Sequence, residues 1–237
     1  MSELASESST QRLREAAADT ELILVRHAQT IWHAENRYAG VSDVPLDDTG
    51  RAQATALAEW ARAHWPDVLV CSPVSRARAT AAPVAAALGV EPEIVDDLRE
   101  VDFGVAEGRT LAELRESHPQ AAEAFVADPV RNPFPGSEPP DAAAERVLGA
   151  LRAVADRHRG STVLVIAHST ALRLALCAWL GIPVARYRDV FPRLDNAAVT
   201  RLRVSGDPAR PPALLALNVP TPAVTADEPV PTAGRTP

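Results

Sequence analysis

The sequence of 237 residues contains no lysine, two cysteines, a single methionine and only 4% aromatic residues. All 24 positive charges are therefore arginines, set against 31 acidic residues for a formal net charge of −7. That balance argues against nucleic acid or an anionic membrane bound through a general positive field, yet a local arginine cluster could still hold one phosphate. Cys71 and Cys177 lie in apolar runs and are too few for a disulfide framework. They also lack metal-ligand spacing, so a reducing, cytoplasmic setting is expected. The longest apolar stretch, residues 174–184, is too short to span a bilayer, which takes roughly 20 residues. Residues 1–19 show no continuous apolar segment of an export signal, and a soluble protein is expected. Neither GxGxxG nor GxxxxGK[ST] occurs, so dinucleotide-binding and P-loop readings lack their glycine loops.

What is present is an ordinary globular composition, 46% hydrophobic and 23% charged, with a core to be built from Ala, Val and Leu. Residues 1–19, and residues 219–237 with their dense Pro, Thr and Ala, read as disordered tails around a domain at 20–218. Within it, β-branched runs at 22–25, 68–71 and 162–167 alternate with Ala-rich helical stretches at 50–64, 74–88 and 171–180. This βαβ rhythm predicts an α/β three-layer sandwich, a mostly parallel sheet with helices on both faces. Asp47 fits an N-cap, and Gly89 and Gly181 fit helix ends. Residues 104–158, with a Pro-rich loop at 128–140, read as a helical insertion over the active-site edge.

Ligands of open parallel sheets bind beyond the carboxyl ends of the strands. The first predicted strand ends in Arg26-His27, the second in Cys71-Ser72-Pro73 with Arg76 beyond, and the third in His168. Gathered at one edge, these groups would repel one another unless an anion lay among them. Guanidinium forks suit phosphoryl oxygens and a neutral imidazole can attack phosphorus, so the combination points to phosphoryl chemistry. His64 and His158 read as surface residues, His118 as a helix end before Pro119, and Asn196 as a turn residue. A metal site from His27 and His33 finds no nearby acidic co-ligands.

The ordered series resembles the histidine phosphatases, the phosphoglycerate mutase-like superfamily, branch 1. It begins with Leu24-Val25-Arg26-His27-Ala28-Gln29-Thr30 and continues through Asp43-Val44-Pro45-Leu46 and Gly50-Arg51-Ala52-Gln53. Ser72-Pro73-Val74-Ser75-Arg76, Leu98-Arg99-Glu100, Glu107-Gly108, Pro135-Gly136 and Ala167-His168 follow in the family's order. The resemblance implies a metal- and cofactor-independent phosphohistidine mechanism on a small phosphorylated substrate. In it His27 is the nucleophile, Arg26, Arg76 and His168 bind the phosphoryl oxygens, and Glu100 is the proton donor and acceptor. Thr30, His33, Arg37 and Ser169 are expected to contact phosphate or substrate. Asp102, Glu107 and Glu138 match family positions but suit loops and ion pairs as well. Ala28, His33, Ala106, Pro139 and Ser169 depart from the family's usual Gly, Asn, Trp, Ser and Gly. Val101 and Phe103 stand where the mutases carry Arg and Tyr. With lysine absent and few holding cations in 104–158, a phosphomonoesterase is expected, with a mutase or a non-catalytic phospholigand binder as alternatives. Phe125 and Phe134, with Arg109, Arg115 and Arg131, are the insertion's candidates for shaping substrate access. The oligomeric state is not legible.

Overall fold

The computed structural model describes residues 18–207 and 209–221. Of the expected tails, residues 1–17 and 222–237 lie outside the described residues. The element order is β1 (Thr20–Arg26), α1 (Asp48–His64), β2 (Val68–Cys71), α2 (Ser75–Leu88), β3 (Glu93–Ile94), α3 (Leu111–Ser117) and α4 (Pro119–Ala127). There follow α5 (Pro140–Arg157), β4 (Thr162–Ala167), α6 (Ser169–Trp179), α7 (Tyr187–Val190), β5 (Val199–Val204) and β6 (Ala213–Val219). The sheet order is β3-β2-β4-β1-β5-β6. The first four strands pair in parallel, whereas β5 runs antiparallel to β1 and β6 antiparallel to β5.

The central strands are apolar on both faces because helices cover both. Successive side chains separate cleanly: Leu22 and Leu24 of β1, with Val163 and Val165 of β4, join the core under α5 and α6. Ile23 and Val25, with Leu164 and Ile166, join the opposite core under α1 and α2. Val147, Leu151 and Val154 of α5 and Leu172 and Leu176 of α6 fill the first layer, and Leu57, Ala61, Ala77 and Ala81 the second. Both cysteines are buried in these cores. Inside 104–158, α5 is thus a packed layer helix, while the shorter α3 and α4 precede the Pro-rich loop.

Local chemistry sets the boundaries. Asp47 caps α1 by accepting from the Gly50 amide at 2.7 Å, so the helix starts two residues before the predicted 50–64. Gly89, at φ +70°, ends α2 in the left-handed region. His118 joins α3 to α4 as expected. His158, expected on the surface inside a helix, is instead the half-buried C-cap of α5 and lies 2.9 Å from Glu93. Strands β3 and β6 were not legible: β3 has two residues, and in β6 the apolar Leu214, Leu215 and Leu217 are all exposed. Val219, placed in the C-terminal tail by composition, pairs with Val199.

Candidate active site

The parallel register aligns Arg26 with Ala167 and Cys71 with Ile166, so His27, His168 and Ser72 emerge from β1, β4 and β2 at one sheet edge. His27, Arg76, Glu100 and His168 are almost wholly buried there, at 4%, 1%, 4% and 0% exposure. The rings of His27 and His168 lie 5.2 Å apart.

His27 Nδ1–H donates to the carbonyl of Ala28 at 2.7 Å. That bond leaves the lone pair on Nε2, which accepts from Arg76 Nε at 3.2 Å. Burial, followed by the cost of a second positive charge beside His168, Arg76 and Arg26, holds the imidazole well below the ordinary histidine pKa, so it is neutral at pH 7. His168 is held neutral in the same way, by burial and then by Arg76 and Arg26. Its Nε2 meets Ser72 Oγ at 2.7 Å, while its buried Nδ1 has no partner.

Arg76 reaches the site from α2, and backbone carbonyls fix its guanidinium. It donates to Ala39 and Gly40 at 2.8 Å each and to Ser42 at 3.1 Å. Glu107 holds that loop in place, one oxygen accepting from Gly40 N at 2.8 Å and the other from Ser42 Oγ at 2.7 Å. A side chain at Gly40 would strike Glu107 Oε1 and the Val101 carbonyl, each 2.2 Å from its Cβ, so close backbone approach requires glycine. Arg26 donates to the Leu194 carbonyl at 2.7 Å, and its buried Nε has no partner. Burial lowers its pKa to about 10.

Glu100 sits at the amino end of α6. Oε1 accepts from Val101 N and Ala171 N at 2.9 and 2.8 Å, and Oε2 from Thr170 N at 3.0 Å. The Thr170 and Ala171 amides belong to the first turn of α6 and have no partner within the helix, so they hold the carboxyl group in place. His33 Nδ1 lies 3.0 Å from Thr30 N and 2.8 Å from its hydroxyl, closing a capping box around the turn Ile31–Glu35. Its Nε2 faces the Arg26 guanidinium at 2.6 Å and Asn196 Nδ2 at 3.3 Å. Donors converge on both ring nitrogens, although a neutral imidazole has one acceptor. Burial and Arg26 hold the His33 pKa down to about 4, and protonation would only replace the remaining acceptor by another donor.

Arg26, His27, Thr30, His33, Arg37, Glu100 and Ser169 line one cavity of about 360 Å³. Arg76 and His168 stand behind His27 in the buried wall. Arg37 borders the cavity while its guanidinium is ion-paired to Glu35 and Glu113 at 2.7 and 2.9 Å. A larger groove of about 890 Å³ between α2 and β3 is lined mainly by small apolar side chains and reaches none of these groups. Among the described residues, no three His, Cys, Asp or Glu side chains are grouped so as to hold a metal.

The model of the histidine phosphatase superfamily (branch 1) matches residues 22–216. The chain belongs to that superfamily. Phosphoserine phosphatase 1 of Hydrogenobacter thermophilus is 34% identical over 167 residues, 70% of this chain and 79% of the relative. A protein named probable phosphoglycerate mutase GpmB, from Cronobacter sakazakii, is 32% identical over 188 residues, 79% of this chain and 86% of the relative. Among solved structures, Bacillus stearothermophilus YhfR superposes with a TM-score of 0.78 at 28% identity, covering 84% of this chain and 97% of that one. Membership implies a phosphohistidine-based phosphatase or mutase mechanism that uses no metal.

For this histidine phosphatase the surroundings of one departure, Ala28, are plain. Ala28, in place of glycine, packs its methyl group with Leu46 and Ala54, and its amide donates to Thr80 Oγ1 at 3.0 Å. Of the insertion's side chains, Phe125 lines the cavity, while Phe134 lies beneath it, stacked at 4.1 Å. Arg109, Arg115 and Arg131 engage Ser117, Glu123 and Asp128 instead. Asp102, Glu107 and Glu138 hold loops or pair with arginines. Sequence reasoning missed Asn196, whose Nδ2 donates to the His27 carbonyl at 2.8 Å. It also missed Arg173, Tyr187 and Arg188, which follow the second histidine and line the cavity. The dense arginines of residues 186–193 were the available signal.

Proposed function

We propose that the protein hydrolyses small phosphomonoesters through a phosphohistidine formed on His27 Nε2. The observation that carries this reading is the fixed tautomer of His27, neutral, anchored through Nδ1 to Ala28 and presenting its lone pair on Nε2 beside Arg76. Arg76 Nε–H passes from His27 Nε2 to a phosphoryl oxygen, and the freed Nε2 lone pair attacks phosphorus as the P–O ester bond breaks. Glu100 gives its proton to the departing alkoxide through Oε2, the oxygen that accepts a single backbone bond. Water then attacks phosphorus, Glu100 recovers a proton from it, and the P–N bond breaks to return the lone pair to Nε2.

Arg26, Arg76 and His168 stabilise the phosphoryl oxygens in both transition states. Each buried polar atom without a partner costs about 1–3 kcal/mol, and Arg26 Nε and His168 Nδ1 are two such atoms beside His27. A phosphoryl oxygen satisfies the donors and, by accepting from Arg26, relieves the conflict at His33. In this reading Thr30 and Ser169 offer hydroxyls to the phosphate, His33 orients Arg26, and Arg37 borders the substrate.

Replacing His27 with alanine is expected to reduce phosphate release, in the presence of chelator, by at least about 10³-fold. Acid quenching during turnover should trap an acid-labile phosphoryl group in the native protein and none in the variant. Full activity of His27→Ala would discard the mechanism.

Phosphoryl transfer of the mutase kind remains a second reading because of one observation. The holding cations missing from residues 104–158 are supplied by Arg173 of α6 and Arg188 of α7. Isomerisation of 3-phosphoglycerate that depends on a bisphosphate primer would favour it; phosphate release without primer favours hydrolysis.

A further inference from the structure

The backbone of His27 is gripped by a turn late in the chain. Residues 194–197 lie between α7 and β5, and hydrogen bonds tie them to Arg26 and His27. Ala197 N donates to the Arg26 carbonyl at 2.9 Å and Asn196 Nδ2 to the His27 carbonyl at 2.8 Å, so the carbonyls on both sides of the His27 Cα are held. The Leu194 carbonyl accepts from Arg26 Nη1 at 2.7 Å. The turn keeps an unfavourable shape to do this: Ala197, at φ +57°, is in the left-handed region that a residue with a Cβ rarely enters. From outside, the turn is fastened by Asn218 of β6, whose Oδ1 accepts from Asp195 N at 2.6 Å and whose Nδ2 donates to the Asp195 carboxylate at 3.0 Å. The other edge of the His27–Ala28 peptide is anchored in α2, where Thr80 Oγ1 accepts from Ala28 N at 3.0 Å.

We propose that Asn196 is a positioning residue for His27: through the His27 carbonyl it fixes the peptide that aims the imidazole at phosphorus, and β6 supports it through Asn218. This rests on the phosphohistidine reading above. The Nδ1 bond of His27 reaches only the carbonyl of the next residue. That bond fixes the ring relative to its local backbone, not relative to the rest of the site. Turning the His27–Ala28 peptide therefore carries the ring away from Arg76 and from the phosphoryl group. Asn196 and Thr80 oppose that rotation from the two edges of one peptide plane. Of the bonds between the turn and the end of β1, only the one from Asn196 is made by a side chain of the turn itself, so a substitution there removes it and leaves the others.

The test measures single turnovers of p-nitrophenyl phosphate with enzyme in saturating excess, for the native protein, Asn196→Ala and Asn218→Ala, together with the inhibition constant of inorganic phosphate. A smaller folded population keeps the native rate constant at saturation, whereas a misaimed imidazole lowers it. Asn196→Ala is expected to reduce the rate constant about 30-fold, the effect of a small displacement of a reacting group, and Asn218→Ala about 5-fold. Inhibition by inorganic phosphate should stay within about 3-fold of native, because Arg26, Arg76 and His168 still hold the anion. Asn218→Ala carries the test if the Asn196 variant does not fold. Native rate constants in the variants, or phosphate inhibition weakened as much as the rate, would overturn the positioning role while leaving hydrolysis intact. Failure of the native protein to release p-nitrophenolate would instead overturn the phosphatase reading and the positioning role with it.

Discussion

The chemistry at His27 depends on which ring nitrogen carries the proton, and a carbonyl one residue away decides it. Arg76 then contributes as a shaped group rather than as a charge. Three backbone carbonyls and His27 Nε2 take its donors together, which no ammonium group can reproduce. Arg76→Lys is therefore expected to lower kcat/KM by about 10²–10³-fold and to lower the melting temperature as well, because buried carbonyls lose donors; steady-state kinetics and thermal unfolding check the pair. Glu100 carries two tasks at once, since the oxygens proposed to move a proton also cap α6. Asn196 shows the limit of local reading. It looks like a turn residue, yet it secures a carbonyl 169 positions away, and nothing in its neighbourhood signals that.

At the scale of elements, chain order translated into position where a local rule was strong. The strand at Thr162–Ala167 and the glycine ending α2 follow from periodicity and left-handed backbone geometry. The cap of α1 is of the same kind. Asp47 joins Gly50 N and Gln29 Nε2 at 2.7 and 3.0 Å, tying the helix to the segment that follows His27. Asp47→Ala is expected to cost about 1 kcal/mol in urea unfolding. Strand β3, with two residues, has no period to detect, and β6 pairs at the sheet margin through a ladder with irregular register. The loop at residues 39–42 lacked any signal for its role, because its carbonyls act only once Arg76 arrives from α2.

For the whole molecule, gathering arginines and histidines in one buried place has a consequence for stability. His27, His33 and His168 all have lowered pKa values, chiefly through burial, with His33 at about 4. In the unfolded chain they bind protons near pH 6.5. Below that value the unfolded state holds more protons than the folded one, so stability falls as the pH drops from about 6.5 towards 4. Urea midpoints at pH 7, 6 and 5 should decline in that order. The decline should be shallower for His33→Asn, which removes one of the buried titrating groups; a midpoint that rises on acidification would contradict the neutral assignments.

The sequence by itself determined the alternation of strands and helices and the residues that end each strand, because period, capping and strand-end chemistry are local properties of the chain. It thereby placed Arg26, His27, Arg76 and His168 at one edge. Only the tertiary structure decided the tautomer of His27, the partners of His33 and the cationic wall made by Arg173 and Arg188. Those depend on burial and on contacts between segments far apart in the chain, and neither distance nor dielectric surroundings can be read from a residue's own neighbours.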